Sequence, residues 1–417
     1  MLASYYFSSC NGKEVFFEGM RTVLRAARQL GARTYSKGVE QGLTDEQRCF
    51  VSAARQFAAA YFEPNASKWD KEKIFPVDAL REGAKLGFGG LYCSAPLGGT
   101  ALSRLDASLI FEQLASSDPS TTAYLTIHNM CVWMLDSFGL ETTKKELVPA
   151  LCSMDKFASY CLTEASSGSD AGSLRTKAVL TGDYYTVTGS KAFISGAGTS
   201  DVYLVMVRTG GDDSKGISCL VIDKDSAGLS FGKNESKLGW NSQPTRTLLL
   251  DRVQVPKSRL LGKEGEGFKI AMKGLDGGRV NIATCSVGSA QRCFDLAVQY
   301  CKERKQFQQP IAEFQSTQFK LAEMASKIYI SRLAIRNAAR AIDERQDDAT
   351  TLCAMAKMCA TERCYEVVDD ALQLHGGYGY LQDFPIERHL RDLRVHRILE
   401  GTNEVMRMIV ARAVLKG

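Results

Sequence analysis

The chain has 417 residues, of which 45% are hydrophobic and 24% are charged, and its formal net charge at pH 7 is +5. A chain of this length is too long to form one simple hydrophobic core, so we expect two or three packed regions with room for a large cofactor. The modest charge arises partly at the N-terminus, so we expect no nucleic-acid partner, and apolar runs such as Val202–Val207 are too short for a membrane span.

Thirteen cysteines contain no Cys-x-x-Cys pair, and the chain has only four histidines. This argues against a zinc cage, any other metal centre of that kind, and a redox dithiol. Cys285, Cys293 and Cys301 recur at eight-residue spacing, as buried thiols in a helix do. We therefore expect a reducing compartment without a disulfide framework.

The N-terminal segment has the composition of a targeting sequence. Arg21, Arg25, Arg28 and Arg33 follow Met20, and no acidic residue occurs between Met20 and Glu40. This composition is typical of a mitochondrial presequence, so we predict import into the matrix and cleavage near residues 35–37. Residues 1–19 contain acidic side chains, which leaves Met20 as an alternative start or residues 1–19 as an extension of unknown role. A solvated basic helix is the alternative interpretation.

Residues 42–153 show helical spacing of apolar side chains. Phe50, Ala53, Phe57 and the pair Ala60–Tyr61 recur at intervals of three to four, and residues 105–114 behave similarly. We predict an N-terminal helical domain over 42–153, after a presequence and extension over 1–41.

In residues 154–265 the period changes to two. No long helical crossover separates the runs, so a parallel Rossmann sheet is excluded and an antiparallel, barrel-like middle domain is predicted. The predicted strands are Tyr184–Thr188, Val202–Arg208, Ile217–Asp223 and Thr247–Val255.

Residues 266–417 return to the helical period. Leu321, Ile328, Ile335 and Ile342 lie at heptad spacing with Met324 on the same face, which predicts a four-helix-type bundle. The fold class is therefore mainly α with a central β domain.

Glu400 is the candidate catalytic base. Ile398 and Leu399 precede it and would strip water from its carboxylate, which raises the pKa. Gly401 allows the backbone to turn, and Thr402 can cap the next helix. The alternative is a glutamate that only complements a helix dipole.

Three segments could bind a flavin, although no Gly-x-Gly-x-x-Gly fingerprint or phosphate-binding Gly-Lys-Ser/Thr loop is present. Residues 160–170 offer hydroxyls and free amides. Phe193 precedes the hydroxyl of Ser195 by two residues, and residues 373–380 end a helix in glycines. Plain turns, core packing and a helix C-cap are the respective alternatives.

Six ordered segments together resemble the acyl-CoA dehydrogenase family from about residue 42 to the C-terminus. They are residues 160–170, 193–195, 304–307, 314–315, 373–377 and 398–407. The resemblance implies a homotetrameric FAD enzyme that forms an α,β-double bond in an acyl-CoA and passes electrons to electron-transfer flavoprotein. Within the family, residues 128–131, 239–246 and 398–401 are most similar to mitochondrial members that convert isobutyryl-CoA to methacrylyl-CoA in valine catabolism. Butyryl-CoA and 2-methylbutyryl-CoA remain alternative substrates, because one methyl group changes binding little.

The resemblance also implies residue roles. Glu400 is the base, and its backbone N–H and a flavin hydroxyl hold the thioester oxygen. Gly278 occupies the position at which some relatives carry their base. Arg304, Phe314, Gln315 and residues 373–377 serve the cofactor of a neighbouring subunit. The implied FAD residues are Tyr160, Cys161, Leu162, Thr163, Glu164, Ala165, Ser166, Ser167, Gly168, Ser169, Phe193, Ile194, Ser195, Arg304, Phe314, Gln315, Gln373, Leu374, His375, Gly376, Gly377, Thr402, Asn403 and Glu404. The implied substrate residues are Ser169, Asp276, Gly277, Gly278, Arg279 and Arg412.

Three residues depart from the family pattern. Ala165 and Ser166 replace a proline and a glycine, and Gln308 replaces a glycine. We expect a less rigid loop and weaker FAD binding from these changes. Two other functions stay open, namely an acyl-CoA oxidase that reduces oxygen and a non-catalytic flavoprotein of the same fold.

Overall fold

The computed structural model describes residue 40 and residues 42–416. The predicted presequence and its cleavage position therefore lie outside the described residues, apart from Glu40. Within the described part of the chain, no helix has the length and apolar character to cross a membrane, no cluster of side chains could hold a metal ion, and the cysteines are free.

The N-terminal part is helical, as predicted. A capping box between Thr44 and Gln47 starts the first helix, and another between Ser103 and Asp106 starts the fourth. The helices pack around an aromatic core that includes Phe57. They are α1 Asp45–Phe57, α2 Ala66–Glu72, α3 Val77–Ala84, α4 Arg104–Ala115, α5 Pro119–Phe138 and α6 Glu141–Cys152.

One detail of the predicted helical pattern is wrong. Phe50, Ala53 and Phe57 are buried, but Ala60 and Tyr61 are exposed. The reason is a π-helical turn over Ala58–Phe62 that continues α1. Its wider turn breaks the 3.6-residue period, so Phe62 enters the core instead.

The middle part is an eight-stranded sheet of β1 Ala158–Cys161, β2 Lys177–Thr181, β3 Tyr184–Ser195, β4 Val202–Arg208, β5 Ile217–Asp223, β6 Leu229–Phe231, β7 Thr245–Pro256 and β8 Leu260–Leu261. The strand order is β6-β7-β3-β2-β4-β5-β8, with β1 paired to β4. The predicted runs Val202–Arg208 and Ile217–Asp223 are strands with those bounds, and the other two lie inside longer strands.

The prediction of an antiparallel sheet needs a correction. Strand β4 pairs with β1 and, at one position, with β2 in the parallel direction, whereas the other pairings are antiparallel. The sheet is therefore mixed. The β1–β4 pairing is possible because about forty residues separate the strands, which is enough chain for a parallel crossover even without a helix.

The C-terminal part is the predicted helical bundle. Met324, Ile328 and Ile335 are buried in its core, and Leu321 and Ile342 pack at the edge of the same cluster. The helices are α7 Gly267–Glu303, α8 Gln315–Asp343, α9 Ala349–His375, α10 Ile386–Arg394 and α11 Asn403–Lys416, and a hairpin of β9 Lys305–Gln306 and β10 Gln309–Pro310 joins α7 to α8.

Candidate active site

The turn that carries Glu400 lies between α10 and α11. A 3-10 turn over Val395–Arg397 follows α10, and Glu400 and Gly401 then adopt positive φ angles of 57° and 86°. The hydroxyl of Thr402 accepts a hydrogen bond of 3.2 Å from the N–H of Val405, so Thr402 caps α11 as predicted. Two successive left-handed residues, one of them a glutamate, are a strained arrangement of the kind found at functional sites.

The Glu400 carboxylate points into the protein toward α7. Its Oε2 atom is buried and has no hydrogen-bond partner among the described residues, although part of the residue's surface stays exposed. A side chain at Gly278 would collide with it, since a Cβ there would lie 2.8 Å from the Glu400 Cδ atom. Gly278, at which the family resemblance places the base of some relatives, therefore faces the same space.

The prediction that Ile398 helps to strip water from Glu400 is wrong, because Ile398 is 54% exposed. The carboxylate instead packs against α7 at Gly278, while Leu399, the other residue of the prediction, is half-buried against a small apolar cluster that includes Trp240. Burial raises the pKa of Glu400 to about 7, while the nearby cations Arg279 and Lys357 act in the opposite direction. A base with a pKa near neutrality is suited to proton abstraction.

Arg279 and Asp276 form a small polar cluster beside this carboxylate. Arg279 Nη1 donates to Asp276 Oδ1 at 2.7 Å, and its Nε donates to the Glu400 carbonyl oxygen at 3.4 Å. Asp276 also accepts a hydrogen bond of 2.7 Å from Thr350. The predicted substrate segment 276–279 is thus brought against the candidate base.

Tyr160, at the end of β1, faces Glu400 from the sheet side. Its hydroxyl is buried without a hydrogen-bond partner among the described residues. Burial first, and then the negative charge of Glu400, raise the pKa of Tyr160 well above its usual value. Two unpaired polar groups, one from the sheet and one from the bundle, therefore lie close together.

The loop after β1 is fixed by a buried glutamate. Glu164 accepts hydrogen bonds from Lys191 Nζ at 2.8 Å and from the N–H groups of Arg175 and Thr176 at 2.7 and 2.9 Å. The Glu164 carboxylate is thus used in hydrogen bonds within the middle domain. The remaining predicted loop residues differ in exposure: Cys161, Leu162 and Ser167 are buried, Thr163 is half-buried, and Ala165, Ser166, Gly168 and Ser169 are exposed.

The family departures affect the backbone in different ways. Neither Ala165 nor Ser166 has a positive φ angle, so the loss of glycine causes no backbone strain there. Gln308 does adopt a positive φ of 67°, next to Phe307 at 51°, in the two-residue turn between β9 and β10. Such turns favour glycine, and a left-handed non-glycine residue costs roughly 1–2 kcal/mol.

Phe193 lies at a bulge near the end of β3. The register between β3 and β7 shifts between Lys191 and Ile194, and Phe193 has a φ of 59° and is 70% exposed. Ile194 is buried, and the Ser195 carbonyl oxygen accepts a hydrogen bond of 2.6 Å from Ser159. Core packing therefore does not explain the position of Phe193.

A second group of predicted residues forms an open cleft of about 390 Å³ at the end of the bundle. Arg304 and residues 373–377 line it together with Tyr300 and Tyr378. Phe314 and Gln315 lie at the start of α8, close to this end of the bundle. Among the residues described, none from the 160–170 loop lines this cleft, and neither does Glu400. The structure therefore divides the predicted cofactor residues of one chain into two groups.

The last predicted residues lie on α11. Asn403 is buried and its side chain contacts Lys357 and Thr361 of α9, whereas Glu404 and Arg412 are exposed. The side-chain amide of Asn403 is thus used within the bundle.

Sequence reasoning missed three buried cations near these sites. Lys191 anchors the Glu164 loop, and Lys357 contacts the Glu400 turn. Arg104 lies over the rings of Tyr92 and Trp133 at 3.7 and 4.8 Å from their centroids. The one available signal was at Lys357, a single lysine at a core-facing position of an otherwise apolar helix face.

The residues at both groups fit a flavin dinucleotide. The first group offers the exposed ring of Phe193 and the exposed hydroxyls of Ser166 and Ser169, and the buried Tyr160 hydroxyl and Glu400 Oε2 have no partner among the described residues. The second cleft offers the guanidinium of Arg304 and the backbone of Gly376 and Gly377, which suit phosphate groups.

Comparison with known proteins gives consistent matches. The family models for the acyl-CoA dehydrogenase N-terminal, middle and C-terminal domains match residues 44–155, 159–253 and 265–415. The mitochondrial isobutyryl-CoA dehydrogenases of Dictyostelium discoideum and Bos taurus are 57% and 54% identical to this chain, in each case over 90% of both chains. The structure of butyryl-CoA dehydrogenase from Megasphaera elsdenii is 35% identical, covers 90% of this chain and 99% of its own, and superposes with a TM-score of 0.87.

The fold, the ordered segments around Glu400 and these matches over nine-tenths of the chain lead to one conclusion. This chain belongs to the acyl-CoA dehydrogenase family, whose members are FAD-dependent oxidoreductases.

Proposed function

We propose that this chain oxidises isobutyryl-CoA to methacrylyl-CoA in the mitochondrial matrix, with Glu400 as the base. The observation that carries the proposal is the Glu400 carboxylate, which faces Gly278 and Tyr160 and whose Oε2 atom is buried without a partner among the described residues. The identities of 57% and 54% to relatives named as mitochondrial isobutyryl-CoA dehydrogenases support the substrate and the compartment.

Different groups of the site carry out different parts of the formation of the double bond. Glu400 removes the proton from the α-carbon of the thioester, and burial keeps the proton affinity of its carboxylate high enough for that step. The Glu400 N–H donates no hydrogen bond within the described chain, so it is free to hold the thioester oxygen as negative charge develops. FAD, when bound, supplies the acceptor for the hydride that leaves the β-carbon.

The substrate is assigned by a panel of thioesters. Purified protein is mixed anaerobically with isobutyryl-CoA, 2-methylbutyryl-CoA or butyryl-CoA, and bleaching of the flavin absorbance is followed. The proposal predicts the highest kcat/KM for isobutyryl-CoA with electron-transfer flavoprotein as the electron acceptor. A preference for butyryl-CoA or 2-methylbutyryl-CoA would overturn the assignment of isobutyryl-CoA as the substrate, and absence of bleaching would indicate a non-catalytic flavoprotein. Rapid oxygen consumption in a separate aerobic assay would indicate an oxidase.

We also propose a homotetramer in which the Arg304 cleft binds part of the FAD of a neighbouring subunit. The cleft lies apart from the Glu400 site, and exposed aromatic residues surround it, including Phe307 and Tyr380 at 88% and 81% exposure. Exposed apolar patches of this kind are typical of interaction surfaces. The Arg304 side chain, next to Tyr378, then contributes a fixed set of donors to the pyrophosphate.

Replacement of Arg304 by alanine tests this arrangement. We expect FAD content and tetramer stability to fall together, because a ligand that bridges two chains stabilises only the assembly. The flavin-to-protein ratio and the mass by light scattering are measured on the same sample, with the exposed Lys302→Ala on α7 as control. A fully flavinylated monomer would contradict the shared site.

A further inference from the structure

Lys357 lies in the middle of α9 on the face that packs into the bundle. Its side chain is 0% exposed, and the neighbouring positions on that face, Cys353, Ala360 and Cys364, are buried and small or apolar. A lysine in such surroundings is costly, since burial of an ammonium group carries a large desolvation penalty. Packing of the bundle alone would be served better by an apolar residue.

The Lys357 ammonium group contacts the turn that carries Glu400. Its Nζ donates hydrogen bonds of 2.8 Å to the Gly401 carbonyl oxygen and 2.8 Å to Asn403 Oδ1. Within the described part of the chain, no carboxylate lies within ion-pair distance of it. Asn403 is held in turn by Thr361, to which its amide donates at 3.1 Å. Both acceptors of Lys357 therefore lie within three residues of the candidate base.

This turn needs support, because Glu400 and Gly401 are both left-handed. A glutamate in that conformation is strained and persists only where its surroundings hold it. Lys357 holds the turn from α9, and Arg279 holds it from α7 through the 3.4 Å contact with the Glu400 carbonyl oxygen. Two cations from two helices thus support one strained turn.

We propose that Lys357 is a positioning residue for the base. Its two hydrogen bonds fix the Glu400 turn, and its positive charge lies near the carboxylate and favours the ionised form. The proposal rests on the assignment of Glu400 as the base. It adds a residue that touches neither the substrate nor the reacting atoms.

The charges around Lys357 and Glu400 determine in which direction the pKa of Glu400 changes when Lys357 is replaced. Burial lowers the pKa of Lys357 to about 7, whereas Glu400 acts in the opposite direction. Arg279 on α7 and the neutral His396 also face the pair, and Tyr160 and Cys131 face Glu400. The remaining charged groups that face Lys357 are Glu362 on α9 and Glu404 on α11.

Because the two groups interact, their apparent pKa values belong to the pair. Removal of the positive charge at Lys357 takes away one of the two cations that favour the ionised carboxylate. The pKa of Glu400 then rises, and the acidic limb of activity moves to higher pH.

The test uses Lys357→Met, which keeps the length and removes both the charge and the donor, and Lys357→Gln, which keeps a donor. For both variants the acidic limb of kcat/KM should move up by about one pH unit. Lys357→Met should also lower kcat by about 10- to 100-fold through misplacement of the base, with a smaller change in KM. The decrease in kcat should be smaller for Lys357→Gln. Infrared titration of the protonated carboxyl band, assigned with Glu400→Gln, should show the same shift without turnover.

Lys327→Met is the matched control. It removes one lysine charge from the same bundle, where Lys327 pairs with Glu366 of α9 at 2.9 Å, and it should leave the acidic limb in place. Wild-type kcat and an unshifted limb in both Lys357 variants would overturn the proposal, even if their thermal stability falls. Should Lys357→Met not fold, Lys357→Gln alone decides through the position of the limb. Full turnover by Glu400→Gln would instead overturn the proposed function, so the two failures are distinct.

Discussion

Glu164 is buried and Glu400 has one buried carboxylate oxygen, yet the two carboxylates behave in opposite ways. Glu164, in the loop after β1, is saturated by Lys191 and by two backbone N–H groups. Burial alone would raise the pKa of Glu164, but Lys191 and these amides more than offset it, and the pKa is lowered. Glu400 has a carboxylate oxygen without any partner in the described chain, and burial raises its pKa to about 7.

The comparison shows that burial alone does not make a base. The number of donors around the carboxylate decides whether it is a structural anchor or a proton acceptor. The cations follow the same division: Lys191 bonds directly to the Glu164 carboxylate, whereas Lys357 and Arg279 bond to the backbone and to Asn403 around Glu400. Glu400 thus keeps nearby positive charge without losing its free oxygen.

Replacement of Glu400 should have the largest effect on turnover. We expect Glu400→Gln to lower kcat by about 10²- to 10⁴-fold, the usual contribution of a general base, while FAD content and acyl-CoA binding persist. Steady-state kinetics, flavin absorbance and acyl-CoA titration measure the three properties. Turnover within threefold of wild type would place the base elsewhere.

Replacement of Lys191, which bonds to the Glu164 carboxylate, should affect folding stability more than turnover. Lys191→Met leaves a carboxylate buried without its cation, which destabilises by about 3–5 kcal/mol. Since the pKa of Glu164 is lowered in the folded protein, the pair contributes stability above the ordinary carboxylate pKa and loses it as the pH falls. Denaturant unfolding at pH 7 and pH 4 should therefore show the gap to wild type narrowing in acid.

The exposed Lys177→Met on β2 is the control for that experiment. It should leave the free energy of unfolding within about 0.5 kcal/mol of wild type. An equally small loss for Lys191→Met would mean that the Glu164 ion pair does not anchor the loop.

A smaller effect is expected when the free space at Glu400 is filled. In Gly278→Ala the new methyl group would meet the Glu400 carboxylate and displace it. Because a misplaced base slows proton transfer, we expect kcat to fall by about tenfold with little change in FAD content. Gly172→Ala, which has open space, is the matched control. Unchanged kinetics in Gly278→Ala would show that the carboxylate occupies another position during turnover.

The sequence predicted the parts of the fold that depend on local patterns. Strands β4 and β5 have the predicted bounds because their apolar runs and flanking turns are unambiguous. The π-helical turn at Ala58–Phe62 was missed, since one inserted residue leaves no mark in composition. The parallel β1–β4 pairing was missed as well, because it depends on contacts between distant segments.

The candidate site, like the fold, was predictable only where it depends on neighbouring residues in the sequence. Glu400, Gly401 and Thr402 form a local turn, so their roles in it could be inferred from neighbouring residues. The raised pKa of Glu400 was expected from Ile398 and Leu399, but the contact with Gly278 of α7, more than a hundred positions away, could not be inferred. Lys191 and Lys357 were missed for the same reason, since a buried lysine is recognisable only when its acceptors are known.

The pH dependence of kcat/KM with isobutyryl-CoA tests the central claim most directly. A carboxyl group whose pKa is raised to about 7 is protonated below that pH and cannot accept a proton, so activity should fall on an acidic limb centred near pH 7. The residual activity of Glu400→Gln should lack that limb. A limb near the ordinary carboxylate pKa of about 4.3, or the same limb in Glu400→Gln, would contradict the assignment of Glu400 as the buried base.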